Sequence, residues 1–262
     1  MAADGNWTSG EAYENFVGRW SRLVAREFIG WLDAPQGARW LDVGCGTGEL
    51  SRCVRQFAAP AHVTGVDPST DYVTYAGEQS QDIEYKVGDA TDLPVASASF
   101  GVVVSGLVLN FVTDKPAAAR EMARVTKPGG IVAAYVRDYA EGMQMMRYFW
   151  DAAAALDPKA AELDEGKRFS ICTAAGLDEL FSSAGLEDVE THPIVVPTHF
   201  PGFNAYWRPF LGAQGPAGTF AASLNDEGRE RMREMLKAHL PVAEDGSIPL
   251  TARAWAAKGR VS

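Results

Sequence analysis

Apolar residues along this chain switch between two spacings, and the switches mark alternating strands and helices. Phe16, Trp20, Val24 and Phe28 recur every four residues, with Leu23, Trp31 and Leu32 alongside, so a helix is expected over 11–33. Thr8-Ser-Gly-Glu11 has the form of a capping box before it, Gly18 offers a break within it, and Ala34-Pro-Gln-Gly37 ends it. Trp40, Leu41 and Val43 then make a short apolar strand, followed by a helix over Glu49–Phe57. His62–Val66 is a second strand, and Asp67-Pro-Ser69 opens a helix running through Gln79. Ile83–Val87 alternates as a third strand, and Phe100–Ser105 is a continuous apolar run of the kind covered on both faces in a parallel sheet. Asp114 caps a helix over Pro116–Val125, and Lys127-Pro-Gly-Gly130 turns sharply into a fifth strand, Ile131–Val136. Strands alternating with helices at short intervals imply right-handed βαβ crossovers and an α/β fold with a doubly wound, mostly parallel sheet.

The last third follows another rhythm. Met143–Leu156 is an amphipathic helix rich in Met and aromatic residues. Thr173–Ser183 is a second helix stopped by Gly185, and Asp188–Val196 a strand. Phe200–Leu211 carries four aromatics after Phe200's own ring (Phe203, Tyr206, Trp207, Phe210), Asn225–His239 is a charged helix, and Ile248–Ala256 closes as a strand. The expected organisation is an N-terminal helical lid over 1–35 and an α/β domain over 36–262. Insertions at about 140–172 and 198–245 are expected to cap a binding site.

Composition narrows the partners. A hydrophobic content of 47% in 262 residues supports a sizeable core, and no apolar run is long enough to span a bilayer. The first residues lack a basic stretch followed by an apolar one, so a cytoplasmic protein is expected. Three scattered cysteines, Cys45, Cys53 and Cys172, make neither a disulfide framework nor a zinc site, and no metal is expected. The formal charge of −10 and the interleaving of Arg229, Arg231 and Arg233 with Glu230 and Glu234 argue against nucleic-acid and membrane partners.

The chemistry concentrates in Leu41-Asp-Val-Gly-Cys-Gly-Thr-Gly-Glu-Leu50. A strand that turns through Gly44, Gly46 and Gly48 into a helix brings bare backbone against a ligand, and the helix start presents unpaired N–H groups. The spacing G-x-G-x-G differs from the dinucleotide fingerprint G-x-G-x-x-G, and no Gly-Lys-Ser/Thr of a phosphate loop is present. Asp42 either accepts from a ligand amine or holds the loop. Asp67, 19 residues beyond Gly48, is placed to accept from both hydroxyls of an unphosphorylated ribose, or else to cap the helix that follows. Cys45, at a helix start, is open to thiol activation, but the reading as a small residue between glycines is the simpler one.

The decamer resembles motif I of the class I S-adenosylmethionine-dependent methyltransferases, and the remaining segments resemble the small-molecule, ubiquinone-biosynthesis-like group of that family. Val63–Asp67 is similar to its ribose strand, Gly88–Pro94 to its adenine loop, and Phe100–Phe111 to its fourth strand. Arg120–Gly130 is similar to the helix and turn before strand five, and Leu177–Val189 to the helix before strand six. The resemblance implies a seven-stranded Rossmann-like sheet and S-adenosyl-L-methionine as cofactor. It implies that Gly44, Gly46 and Gly48, with the Cys45 backbone, underlie the methionine part. Pro68 or Ser69 would line the adenine pocket, Asp89 accept from the adenine amino group, and the Ala90 N–H meet a ring nitrogen. Ser105 and Leu107 would close the site after strand four. The usual acid opening strand four is replaced by Gly101, and Asn110 stands near where many relatives carry His.

Such an enzyme needs the acceptor aligned and water excluded, and a base only if the acceptor is protonated. Asp138 and His199 are the candidate bases. Asn110, Arg137, Tyr139, Tyr206 and Trp207 are acceptor-site candidates, while Tyr13 and Trp20 are candidate lid residues over the cofactor. For each the plain alternative is a cap, a surface loop or packed core. The expected function is methyl transfer to a small, largely apolar or aromatic metabolite. The competing readings are a non-catalytic S-adenosylmethionine-binding module, a nucleic-acid methyltransferase (disfavoured by charge and by Ser105-Gly-Leu-Val in place of Asn/Asp-Pro-Pro-Tyr/Phe) and a nicotinamide-dependent oxidoreductase (disfavoured by the glycine spacing).

Overall fold

The computed structural model of the chain describes residues 19–212 and 215–262. The capping box, Tyr13, Phe16 and Gly18 lie outside the described residues. The first half comprises α1 (Arg19–Leu32), β1 (Arg39–Val43), α2 (Glu49–Phe57), β2 (His62–Asp67), α3 (Thr70–Gln79), β3 (Glu84–Val87), β4 (Phe100–Gly106), α4 (Lys115–Val125) and β5 (Thr126–Arg137). The second half comprises α5 (Gln144–Leu156), α6 (Ala174–Ser183), β6 (Glu187–Phe200), α7 (Phe203–Trp207), α8 (Gly215–Ser223), α9 (Asp226–His239) and β7 (Ile248–Arg260).

The strands form one seven-stranded sheet in the order β3-β2-β1-β4-β5-β7-β6. The pairs β1–β2, β1–β4, β2–β3 and β4–β5 are parallel. The chain therefore winds outward from β1 through β2 to β3, then crosses back to place β4 on the other side of β1. This reversal is a topological switch point, and the carboxyl ends of β1 and β4 open there on either side of it. Side-chain caps start the helices where short polar residues precede them. Asp114 accepts from the Ala117 N–H, Thr173 from Gly176 and Asn225 from Gly228.

Two stretches depart from the sequence pattern. Lys127-Pro-Gly-Gly130 is not a turn ahead of the fifth strand but lies inside β5, where the register jumps from Phe100↔Thr126 to Val102↔Ile131. Neighbouring pairing holds the segment extended: Gly129 N–H donates to the Val261 carbonyl at 2.8 Å, and Val261 N–H to the Gly130 carbonyl at 3.1 Å. The extra residues are absorbed as a bulge, with Gly129 at φ +73°. Helix α8 forms across Gly215, Pro216 and Gly218, which mask it in the sequence. Ala217, Phe220 and Ala221 are buried there, so packing overrides weak propensity.

The described residues cluster into two compact units. The larger consists of Arg22–Val136, Ile171–Ile194 and Ala254–Ser262. Its core is the apolar sheet interior, including Trp40, Leu41, Val102, Val103, Val104 and Val132. Phe28 of α1 is fully buried with its ring 4.7 Å from that of Tyr135, whereas Trp31 is half-buried and stacks on His192 at 5.3 Å. The smaller unit consists of 19–21 of the described N-terminal residues with Arg137–Ser170 and Val195–Arg253. Its core is aromatic. Phe149 stacks on Phe210 at 4.3 Å and meets Trp150 and Phe220 edge-on. No helix among the described residues is long and apolar enough to cross a membrane.

Phe28→Ala is expected to lose about 3–5 kcal/mol, as for other buried Phe truncations, and Trp31→Ala clearly less. Urea unfolding of the two variants measures both, and equal losses would show that α1 is not anchored through Phe28.

Candidate cofactor site

The carboxyl end of β1 is built from backbone hydrogen bonds to β2. The N–H groups of Gly44 and Cys45 both donate to the Val66 carbonyl, at 2.7 and 3.0 Å, and the Gly46 N–H donates to Asp67 Oδ2 at 2.9 Å. Gly44, Gly46 and Gly48 lie at φ +73°, +51° and +84°, conformations that a side chain strains. Their surroundings differ. A Cβ on Gly44 would come within 2.4 Å of Val108, and one on Gly48 within 2.5 Å of the Tyr85 hydroxyl. A Cβ on Gly46 would meet nothing within 4 Å. The glycines thus do not share one task. Gly44 lets the turn after β4 close on the loop, Gly48 lets α2 pack on the sheet, and Gly46 alone leaves peptide facing open space.

Asp67 ends β2 and is buried, with Oδ1 accepting from the Ser69 N–H at 2.9 Å and Oδ2 from Gly46. Burial raises its carboxyl above the ordinary range, and the two N–H donors oppose that rise. Helix α3 is capped not by Asp67 but by Ser69, whose Oγ accepts from the Tyr72 N–H. Pro68 is exposed. The Gly88 N–H donates to the Asp67 carbonyl at 3.1 Å, which joins the next loop to the same strand end. In that loop Asp89 is exposed, and its Oδ1 accepts from the N–H and hydroxyl of Thr91, which hold it below the usual carboxylate range. Ala90 is half-buried beside it.

Asp42 is buried beneath the loop. Its Oδ2 accepts from Ser51 Oγ at 2.7 Å, while Oδ1 has no hydrogen-bond partner among the described residues. Burial pushes this carboxyl up to about 7; the Ser51 hydroxyl lowers it and the charge of Asp67 raises it further. Across the switch point, Ser105 is fully buried and its Oγ donates to the Val43 carbonyl at 2.8 Å. Its side chain therefore ties β4 to β1 instead of closing the site. Leu107 takes φ +61°, strained for a side-chain-bearing residue, and its N–H donates to the Tyr135 carbonyl. Asn110 follows, buried, with Nδ2 lacking any hydrogen-bond partner among the described residues. Cys45 is buried, and burial together with the Asp42 and Asp67 charges pushes its thiol up, so helix-start activation of this cysteine is ruled against.

The other sequence candidates lie in the smaller unit. Trp20 is buried edge-on against Phe200 at 5.2 Å, a packing contact. Asp138 is buried with both oxygens engaged, Oδ1 by the Glu141 N–H and Oδ2 by Arg253, so it is an ion-pair anchor and not a free base. Arg137 and Tyr139 are buried with Nη1 3.5 Å from Oη, and the Tyr139 ring is 5.7 Å from Phe169. Tyr206 is fully buried with Oη donating to the Met145 carbonyl, and Trp207 is buried and packs on Phe203 and Phe210. His199 points to solvent between buried Thr198 and Phe200. Ser51, Tyr85 and Val108 shape the larger unit's site without a motif to announce them.

Asp42 also gives a pH dependence. Its carboxyl titrates near 3.8 in an ordinary setting and near 7 in the folded chain, so the folded state holds the proton more tightly between those values. The resulting stabilisation is complete below pH 3.8 and is lost as pH rises to about 7. Asp42→Asn is expected to gain stability over the parent as pH rises from 5 to about 7, by about 2 kcal/mol, then level off. Thermal melts of both proteins across that range measure it; a constant difference would refute the buried carboxyl as its source.

A family profile described as "Methyltransferase domain" matches residues 41–134. Demethylmenaquinone methyltransferase from Bacillus licheniformis is 30% identical over 185 residues, covering 64% of this chain and 80% of that protein. Malonyl-[acyl-carrier protein] O-methyltransferase from Pectobacterium atrosepticum is 35% identical over 121 residues, covering 46% of this chain. The chain spans about half the length of that and several other curated relatives, 47% in this case. Among solved structures, the YcgJ protein of Bacillus subtilis superposes with a TM-score of 0.59 at 19% identity, over 93% of this chain and 98% of that one, which shows a shared fold. With sheet order, glycine loop and these relatives in agreement, the chain belongs to the class I S-adenosylmethionine-dependent methyltransferases.

Proposed function

We propose that this protein transfers the methyl group of S-adenosyl-L-methionine to a small metabolite. The observation that carries the reading is the open peptide at Gly46 in a unit that also holds a buried acceptor without a donor (Asp42 Oδ1) and a buried donor without an acceptor (Asn110 Nδ2). Buried polar atoms left unpaired cost about 1–3 kcal/mol each, so their pairing by a ligand is the economical explanation. An ammonium and a carboxylate, the two ends of an amino-acid moiety, supply the missing partners. The residues present therefore fit the cofactor.

The larger unit divides the binding work. Gly46 admits the amino-acid end, Asp42 takes a hydrogen bond from the ammonium, and Asn110 donates to the carboxylate. Asp67 keeps lone pairs for the ribose hydroxyls after its two N–H bonds. Asp89 accepts from the adenine amino group, and the Ala90 N–H donates to a ring nitrogen. When bound, the cofactor supplies a methyl already activated by its sulfonium, so the protein's part is alignment and dryness. Engagement of Asp138 by Arg253 and exposure of His199 support an acceptor whose attacking atom is available at neutral pH without a dedicated base. An apolar aromatic acceptor is in keeping with the Bacillus licheniformis relative, named for demethylmenaquinone. The charge of −10 supports a partner other than nucleic acid, and three free, buried cysteines support a reducing, cytoplasmic setting.

Asp67→Ala should weaken S-adenosylmethionine binding at least about tenfold, from the loss of a buried hydrogen-bonding carboxylate. Calorimetry with S-adenosylmethionine, its demethylated product and NAD reads this directly, and unchanged affinity removes the ribose role. Transfer of a tritiated methyl group to a metabolite extract is the expected activity. Tight cofactor binding with no transfer would favour the binding-module reading instead.

A further inference from the structure

The smaller unit holds a cavity of about 630 Å³ that belongs to none of the residues discussed so far as cofactor ligands. Phe203 of α7 forms part of its wall, with Arg233 and Lys237 of α9. Trp207 lies nearly parallel to the Phe203 ring at 6.5 Å. Arg233 Cζ stands 5.4 Å and Lys237 Nζ 5.1 Å from the same ring centroid. One aromatic ring thus gathers two cations that lie one helical turn apart, at the i and i+4 positions of α9.

Two like charges so placed repel each other, and among the described residues only Arg233 has an ion-pair partner, Glu230 of the same helix. Arg233 Nε lies 3.3 Å from Glu230 but out of line for a hydrogen bond, although it is shut off from solvent. Among the described residues no carboxylate lies within ion-pair distance of Lys237. Two cations gathered over one ring at an open pocket stand out on a chain of net charge −10. Its volume is several times what an inorganic anion needs, and falls in the range of small-molecule sites. Pro201, Phe203 and Ala205 offer apolar surface beside the charges, and Asn204 offers an amide.

We propose that this cavity binds a phosphomonoester carried on a small organic group. The dianion bridges Arg233, whose planar fork suits phosphate oxygens, and Lys237 as a point charge. The organic portion lies along Pro201 and Phe203. A singly charged carboxylate satisfies only one of the two cations, so phosphate is preferred over it.

The test uses phenyl phosphate, benzoate and benzyl alcohol as probes of the full-length protein, by calorimetry or by NMR shifts at low ionic strength. Phenyl phosphate is expected to bind with millimolar or tighter affinity, benzoate at least about tenfold more weakly, and benzyl alcohol not detectably. Arg233→Gln with Lys237→Gln should weaken phenyl phosphate at least about tenfold, and Lys237→Gln alone by less, with unchanged circular dichroism. Equal binding of benzoate, or undiminished binding by the double variant, would overturn the proposal. So would the absence of phenyl phosphate binding at 10-fold above millimolar concentration. S-adenosylmethionine affinity measured on the same samples should not change, which separates this site from the methyl-transfer reading.

Discussion

The larger unit's loops depend on one contact between backbone and side chain, the hydrogen bond from the Gly46 N–H to Asp67 Oδ2. The chain must leave a buried strand, reverse through left-handed conformations and enter a helix, all without a side chain filling the bend. Conformational entropy opposes so glycine-rich a turn. The carboxylate at the end of the adjacent strand offsets that cost by fixing the central peptide from the side. The same Asp67 orders Ser69 through its other oxygen, and through its carbonyl it accepts from Gly88. Three successive loops at the carboxyl edge of the sheet are therefore registered on one residue.

Polarity is distributed unequally between the units. The larger buries carboxylates and an amide around its loop, with Asp42 Oδ1 and Asn110 Nδ2 left unpaired among the described residues. Such groups are expensive in an apoprotein and point to a ligand. In the smaller unit the buried acids have partners: Asp138 with Arg253, Asp164 with Arg147, and Glu165 with the Trp150 indole N–H. Those contacts hold structure. The contrast separates buried charge that awaits a partner from buried charge that already has one, and it is why Asp138 reads as an anchor.

Local signals in the chain reached a long way for the sheet and its loops. The alternation of strands and helices, the turn at Gly44–Gly48, the acid at Asp67 and the cap at Asp114 all follow from periodicity and short-range backbone chemistry, which sequence carries directly. The bulged start of β5 did not, because Lys127-Pro-Gly-Gly130 is held extended by pairing with Val261, a partner far along the chain. Helix α8 was hidden for a like reason, its glycines and proline outweighed by burial of Phe220 and Ala221.

What the linear order of residues settled by itself was the class of fold, from the alternation of strand and helix periods, and the glycine bend, from spacing within a few residues; the cofactor was implied by the resemblance of that bend and the following segments to the methyltransferase family. What only the folded chain decided was the duty of each polar side chain. Gly44 and Gly48 serve packing while Gly46 stays open, Ser105 binds a strand carbonyl, and Tyr206 and Trp207 are interior. The gathering of Arg233 and Lys237 over Phe203 likewise has no trace in a charge pattern that reads as a solvated helix. These outcomes depend on which distant atoms meet, and residue spacing along a chain does not encode that.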